Sequence, residues 1–386
     1  MKKKVTPTLL FGILGLIIIG ISLQSYFQGV KIFAGKEYTN YNNYIIFKQS
    51  FFHLIHNQDP YELFPSEQWD LYKYSPAFAL LMAPFTLLPD YLGLIIWNLL
   101  NGVLLFYAFF KFPFKTDKKK LLACGFILIE AITSLQNSQS NCLIAGLIIL
   151  AYLLMEKNKI LPATLLLVLS IFIKPFGLVA FALFLFYPNK IKSFAWCTLW
   201  MILFLFLPLI AVSPSVLLNV YKSWGALLAN DHAISNGLSV IGWLQSWFQI
   251  AAPKNFILLL GACIFCLPLI KYKSYSVEPF RQLFLSSILI WVVIFNHKAE
   301  SPTFIIAVSG IAIWYFTQER TVVNLILILI AFLFTVLSPT DLFPRSLREL
   351  YVLPYVLKAV PCIIIWAKII TEMMVHPKQL TEYKND

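Results

Sequence analysis

The chain predicts an all-α polytopic membrane protein, one integral domain over residues 1–386 with about 11–13 transmembrane or partly spanning helices. Three observations predict it. Hydrophobic residues make up 59% of the sequence and charged residues 12%, at a mean hydropathy of +0.77, whereas a soluble globule carries about 25% charged residues. The apolar residues fall into successive runs of helical length, several shorter than the roughly 20 residues of a perpendicular span. The loops between those runs alternate in kind, as loops on two sides of a membrane do.

Taken in order, the apolar runs cover residues 8 to 27, 75 to 111, 121 to 135, 141 to 156, 160 to 174, 176 to 187, 194 to 212, 255 to 270, 282 to 296, 302 to 317, 321 to 338 and 350 to 371. The first follows MKKK and reads as a retained helix with its basic end inside. Gly20 and Ser22 make a signal-peptide cleavage site the alternative, but Leu23 to Val30 extend the run. Pro84, Pro89 and Asp90 divide the second run into a partial or re-entrant helix and a full span from Tyr91 to Phe110.

One set of loops is basic and plain: MKKK, KFPFKTDKKK from Lys111, EKNK from Glu156, YPNKIK from Tyr187, KYKSYSVEPFRQ from Lys271, TQER from Thr317 and the tail after Lys368. The other is rich in amides, mixed charge and aromatics: the long first loop (28–74), QNSQSN from Gln136, KPF from Lys174, a second large segment (213–250), NHKAESP from Asn296 and SPTDLFPRSLREL from Ser338. With the basic set and the N-terminus cytoplasmic, every member of the second set lies extracytoplasmic. The formal charge of +12 is thereby absorbed into topology. It forms no aromatic-laced stripe, so no nucleic-acid partner is expected.

Within the first loop, Asn42, Gln49, His53 and His56 recur at helical spacing opposite Tyr44, Phe47, Phe51 and Ile55. This predicts an amphipathic helix lying along the outer membrane surface, apolar face in the headgroups. A turn at Asp59 and Pro60 follows. The six cysteines fall in or beside apolar runs, and the C-x-x-C of Cys263 and Cys266 has neither a second pair nor a nearby His, so they read as packing residues.

No glycine-rich phosphate loop, G-x-S-x-G, H-E-x-x-H or D-x-D is present. An enzyme of this make-up takes an activated substrate already in the membrane. Asp59, Glu62, Glu67, Asp70, Asp231 and Glu300 are candidate bases for a hydroxyl acceptor. Lys73, Lys174, Lys222, Lys298, Arg345 and Arg348 are candidate partners of an anionic leaving group. Lys174 stands between two apolar runs, where a lysine is costly unless it snorkels or meets an anion. His297, Lys298 and Glu300 crowd one turn. Glu130, a turn and a half before the amide cluster, reads as a structural carboxylate bonded to Gln136 or Asn137. Tyr61, Trp69, Tyr72, Tyr74 and Trp224 are candidates for stacking on a sugar ring.

The runs DPYELFPSEQWDLYKYSPAFALLMAPFTLLP and LQNSQSNCLIAGLIILAYLLMEKNKILPATLLLVLSIFIKPFGLVAFALFLF resemble the polyprenyl-phosphate-mannose-dependent glycosyltransferases of family 87, of the GT-C class. The resemblance covers about residues 40 to 190 and implies a GT-C-like bundle. It implies inverting transfer of mannose or a similar sugar from a polyprenyl phosphate to a hydroxyl of a glycan or glycolipid, on the extracytoplasmic face of a bacterial inner membrane. It also implies a carboxylate base, no metal and no cofactor. Two positions depart from the family pattern. The Asp about sixteen residues before D-P-Y is Asn43, which cannot take a proton as a carboxylate does, and the first position of G-Q-x-N is Ser138. The expected site therefore comprises Asp59, Glu300, Asn43 and His297 around the reacting hydroxyl, with Lys73, Tyr74, Gln139, Asn141, Lys174 and Lys298 on the substrates. A lipid transporter or flippase and a non-catalytic membrane scaffold are the alternatives from other classes.

Overall fold

The computed structural model describes residues 7–230, 236–251, 253–319 and 321–375; Asp231 lies outside them. Helix α1 (Pro7–Phe27) leads into a hairpin of β1 (Val30–Phe33) and β2 (Lys36–Thr39), with Val30 opposite Thr39. Its two-residue turn, Ala34 and Gly35, has both φ angles positive, 49° and 78°, the turn whose twist matches that of the strands. The sequence reading held no strand, because V-K-I-F continues an apolar run and is too short to establish a period of two.

The helices then follow as α2 (Asn42–Ile55), α3 (Pro76–Leu81), α4 (Ala83–Thr86), α5 (Asp90–Lys111), α6 (Asp117–Gln136), α7 (Asn141–Glu156), α8 (Ile160–Ile173) and α9 (Gly177–Ala180), extended by a 3-10 turn to Phe186. Next come α10 (Lys190–Phe206), α11 (Pro214–Asn230), α12 (Val240–Phe248), α13 (Lys254–Cys266), α14 (Glu278–Ile294) and α15 (Phe304–Thr317). Helix α16 (Val322–Ala331) passes into a π-helical stretch, Phe332–Leu337. Helix α17 (Arg345–Leu347) passes into another, Arg348–Val352, before α18 (Val360–Val375). Thr8–Phe27, Asp90–Lys111 and Lys190–Ile210 are long and apolar enough to cross a bilayer, and shorter apolar helices complete the bundle.

Pro84 and Pro89 divide the second run as expected, Pro84 in the first turn of α4 and Pro89 directly before α5. Ser75 caps α3, with Pro76 in its first turn, and donates to the Phe172 carbonyl. Along α14 and α15 nearly every residue is buried, as expected of helices apolar all round at the centre of a bundle. Gly310 permits their close approach, since a Cβ there would stand 2.7 Å from the Ser286 carbonyl oxygen.

Among the described residues, loops of like kind meet one another. At the basic end Arg281 forks onto Glu156 at 2.6 and 2.7 Å, and the Tyr187 hydroxyl donates to the same carboxylate. At the amide-rich end the first loop, the 136–141 turn, the Lys174 break and the 296–303 turn meet one another.

Helix α2 forms over the expected residues but does not lie on a lipid surface. Asn42, Tyr44, Phe47, Ser50, His53 and Leu54 are all buried, so both faces are covered. Phe47 packs edge-on against Tyr74, Phe78 and Trp97, while His53 meets Glu67 at 3.0 Å and stacks on Phe64. At Asn42 and His53, two polar positions of the predicted outer face, residues 57–74 fold back over the helix, whereas His56 stays exposed.

Candidate functional site

The site is built on the turn between α6 and α7. Helix α6 ends in a Schellman closure: Ser138 N–H donates to Leu135 O (2.9 Å) and Gln139 N–H to Ser134 O (3.3 Å). This closure places its closing residue in the left-handed region, and Ser138 has φ 52°. Helix α5 fixes the turn from below. Trp97 Nε1 donates to Ser138 O at 2.9 Å, and Asn98 donates to Ser22 Oγ (3.0 Å) and Leu135 O (3.2 Å). Asn101 Oδ1 accepts the Leu143 N–H at 3.1 Å, satisfying a donor that the start of α7 leaves without an intrahelical partner. These interhelical bonds are what makes buried amides tolerable inside a membrane bundle.

From this turn a chain of contacts runs outward. Gln139 Nε2 donates to Glu300 Oε2 at 3.0 Å. Asn141 Nδ2 donates to Gln139 Oε1 at 2.5 Å and to Pro302 O at 3.0 Å, and its Oδ1 accepts from Lys174 Nζ at 2.8 Å. A carboxylate and an ammonium are thus held at one end of the bundle through two side-chain amides. The Lys174 ammonium sits 5.6 Å from the centre of the Tyr74 ring and 5.8 Å from that of Phe176. Part of its surface stays open, yet burial pushes it down to about 8, with Glu300 opposing the shift and Lys73 adding to it. Burial also holds the Tyr74 phenol above its ordinary value.

The family model of Glycosyltransferase family 87 matches residues 72–339, a span that contains this cluster. The chain belongs to glycosyltransferase family 87. No curated protein matches it.

Both departures from the family 87 pattern have physical readings. At position 138 a left-handed backbone is required; glycine adopts it freely, whereas a serine carries roughly 1 kcal/mol of strain. At position 43 the amide is in use: Asn43 Nδ2 donates to Asn137 O at 2.8 Å. A carboxylate could not make that bond, so Asn43 ties α2 to the central turn.

Other expected residues are engaged around the site. Asp59 Oδ1 accepts the Tyr61 N–H at 3.0 Å in the anticipated turn. Lys73 pairs with Asp70 at 3.1 Å, and its carbonyl accepts from Trp224 Nε1 at 3.3 Å. His297 Nε2 stands 2.8 Å from Lys254 Nζ. An ammonium only donates, so a protonated Lys254 makes that nitrogen the acceptor. Lys298 N–H closes the turn onto Asn296 Oδ1 at 3.1 Å. The second large segment docks here: Leu238 N–H donates to Ala299 O at 3.1 Å, and Gly237, at φ 51°, leaves no room for a Cβ, which would stand 2.3 Å from His297 O.

Of the rest, Glu62 and Lys222 are exposed. Arg345 pairs with Glu349 at the surface, and Arg348 reaches the Pro339 and Thr340 carbonyls. Trp69 packs on the hairpin through Phe33 and Tyr38, and Tyr61 and Tyr72 bond the carbonyls of Tyr74 and Ser75.

Glu130 is corrected in its partner: its carboxylate meets Lys358 at 2.8 Å, not Gln136 or Asn137. Lys358 and Lys254 went unnoticed in the sequence. Lys358 interrupts an apolar run, the same signal that singled out Lys174. Pro175, Phe176, Val179, Ile257, Trp291 and Phe295 line an apolar cavity of about 390 Å³, with Lys254 and His297 also on its wall.

Proposed function

We propose that this family 87 glycosyltransferase moves a sugar from a polyprenyl phosphate to a hydroxyl acceptor, with inversion, at the amide-rich end of the bundle. That end faces the extracytoplasmic side of a bacterial inner membrane. The observation that carries the reading is the chain Glu300–Gln139–Asn141–Lys174, which sets an acceptor-type carboxylate and a cation in fixed relation.

In this reading the acceptor oxygen bonds to the anomeric carbon as the bond from that carbon to the phosphate oxygen breaks. The acceptor proton passes to Glu300, and both electrons of the broken bond leave with the polyprenyl phosphate. Lys174 meets the negative charge that grows on the leaving phosphate, a contact stronger in the transition state than before it. Lys298 and Lys73 lie at the same end, and Tyr74 offers a ring beside Lys174. The cavity under His297 and Lys254 suits isoprenoid units, its wall being mostly aliphatic and aromatic. Asp59 and Asn43 hold the first loop and the central turn in register, and His297 shapes the cavity mouth.

The test is transfer from a labelled polyprenyl-phosphate sugar in proteoliposomes by the wild type and by Glu300→Gln, Asp59→Asn and Lys174→Met. The reading expects the largest loss of kcat in Glu300→Gln and a raised donor KM in Lys174→Met. Full turnover in all three variants would reject the site.

A further inference from the structure

The turn that carries Glu300 rests on a second charge pair, one member of which lies beyond the family match. Lys358 Nζ stands 2.8 Å from Glu130 Oε1 and 2.8 Å from Ser301 Oγ. Glu130 is 0% exposed and Lys358 3%. Desolvation makes such a pair a poor source of stability, and ionisable groups within a membrane bundle ordinarily serve function.

The route by which Lys358 arrives is itself costly. The π-helical turn Arg348–Val352 ends in a Schellman closure, with Leu357 N–H on Val352 O at 3.0 Å and Val356 N–H on Leu353 O at 3.3 Å. Val356 occupies its left-handed position at φ 52°, a strained choice for a β-branched residue. Other elements pin the break in place. Ser246 Oγ and Trp247 Nε1 of α12 donate to Pro354 O (2.5 Å) and Tyr355 O (2.7 Å), and Thr335 Oγ1 donates to Lys358 O at 2.8 Å. Within the break, one ammonium reaches Ser301. Glu130 Oε2 has no protein partner among the described residues, so the carboxylate serves to hold Lys358. Glu300 O accepts the Thr303 N–H at 3.0 Å, which makes Glu300 and Ser301 parts of one turn.

We infer that Lys358, anchored by Glu130, is a positioning residue that fixes Ser301 and so aims Glu300 at the acceptor hydroxyl. The inference rests on Glu300 as the base. Removing the support displaces the carboxylate without touching the donor site, and a misplacement of about 1 Å costs on the order of 100-fold in rate.

The test compares Ser301→Ala, Ser301→Thr, the double variant Glu130→Leu/Lys358→Met and Glu300→Gln, all as full chains in proteoliposomes. Removing both members of the pair together avoids leaving an uncompensated buried charge. Positioning predicts that Ser301→Ala and the double variant keep the wild-type melting midpoint and donor KM while kcat falls about 10- to 100-fold, and that Ser301→Thr restores kcat. Wild-type kcat in Ser301→Ala, with Glu300→Gln inactive, overturns the inference and leaves the site reading intact. Should the double variant fail to fold, Ser301→Ala decides alone. Wild-type kcat in Glu300→Gln overturns both.

Discussion

Asn43→Asp is the most discriminating single substitution. If Asn43 were a disabled base, restoring the carboxylate would raise transfer above wild type. The geometry predicts the opposite. The side-chain amide donates to Asn137 O at 2.8 Å, and Asn137 Nδ2 is already committed to Thr133 O at 2.8 Å. An ionised aspartate would set a carboxylate oxygen against a carbonyl oxygen at that distance. The lost hydrogen bond and the unpaired acceptor together cost about 1–3 kcal/mol, and rotation away from Asn137 would cut the tie between α2 and the central turn. Because Gln139 is two residues on and bonds Glu300, kcat should fall by roughly tenfold, the equivalent of about 1.4 kcal/mol. Transfer from labelled donor, paired with a thermal midpoint in the same detergent, is the assay. Activity above wild type, or no change in either quantity, would mean that Asn43 does not hold the central turn.

Further outcomes follow from the same geometry. Ser138→Gly should leave transfer unchanged and hold or raise the melting midpoint, because the left-handed strain it relieves is set against the entropy a glycine loses on folding. Asn101→Leu should lower the midpoint by the equivalent of about 1–3 kcal/mol, since Leu143 N–H then has no partner. Gly237→Ala should loosen the second large segment, read as faster proteolysis between α11 and α12 with reduced transfer, because a Cβ there collides with His297 O. Donor affinity should decline as pH rises above about 8, where Lys174 loses its charge in the free protein, and the decline extends upward as far as the bound phosphate raises that value. The stability contribution has the opposite sign: the folded ammonium holds its proton less tightly than the unfolded one, so this group's contribution grows as pH rises from about 8 towards 10.5. A Lys174→Met series across that range checks both.

The helical bundle was legible because membrane helices obey one rule, apolar runs separated by loops of alternating kind. Lys174 and Glu300 stood out as charged residues at the ends of apolar runs, whereas Gln139 and Asn141 were singled out by the G-Q-x-N resemblance. The orientation of α2 was not legible, because residues 57–74 cover its polar face at Asn42 and His53 and nothing in a helical period says whether water or protein lies above it. Glu130 was visible as an intramembrane carboxylate, but its partner stands 228 residues away, and no local spacing carries a contact at that separation. The hairpin escaped because four residues are too few to distinguish alternation from the end of an apolar run.

The central claim is that Lys174 and Glu300 flank the reacting phosphate and hydroxyl. An experimental density map of the purified protein with bound polyprenyl phosphate tests it most directly. The phosphate is expected within hydrogen-bond reach of Lys174 Nζ, with Glu300 on the side open to the acceptor and the isoprenoid chain entering the cavity beside Phe176 and Trp291. A phosphate at the basic end of the bundle, or one remote from Lys174, would contradict it.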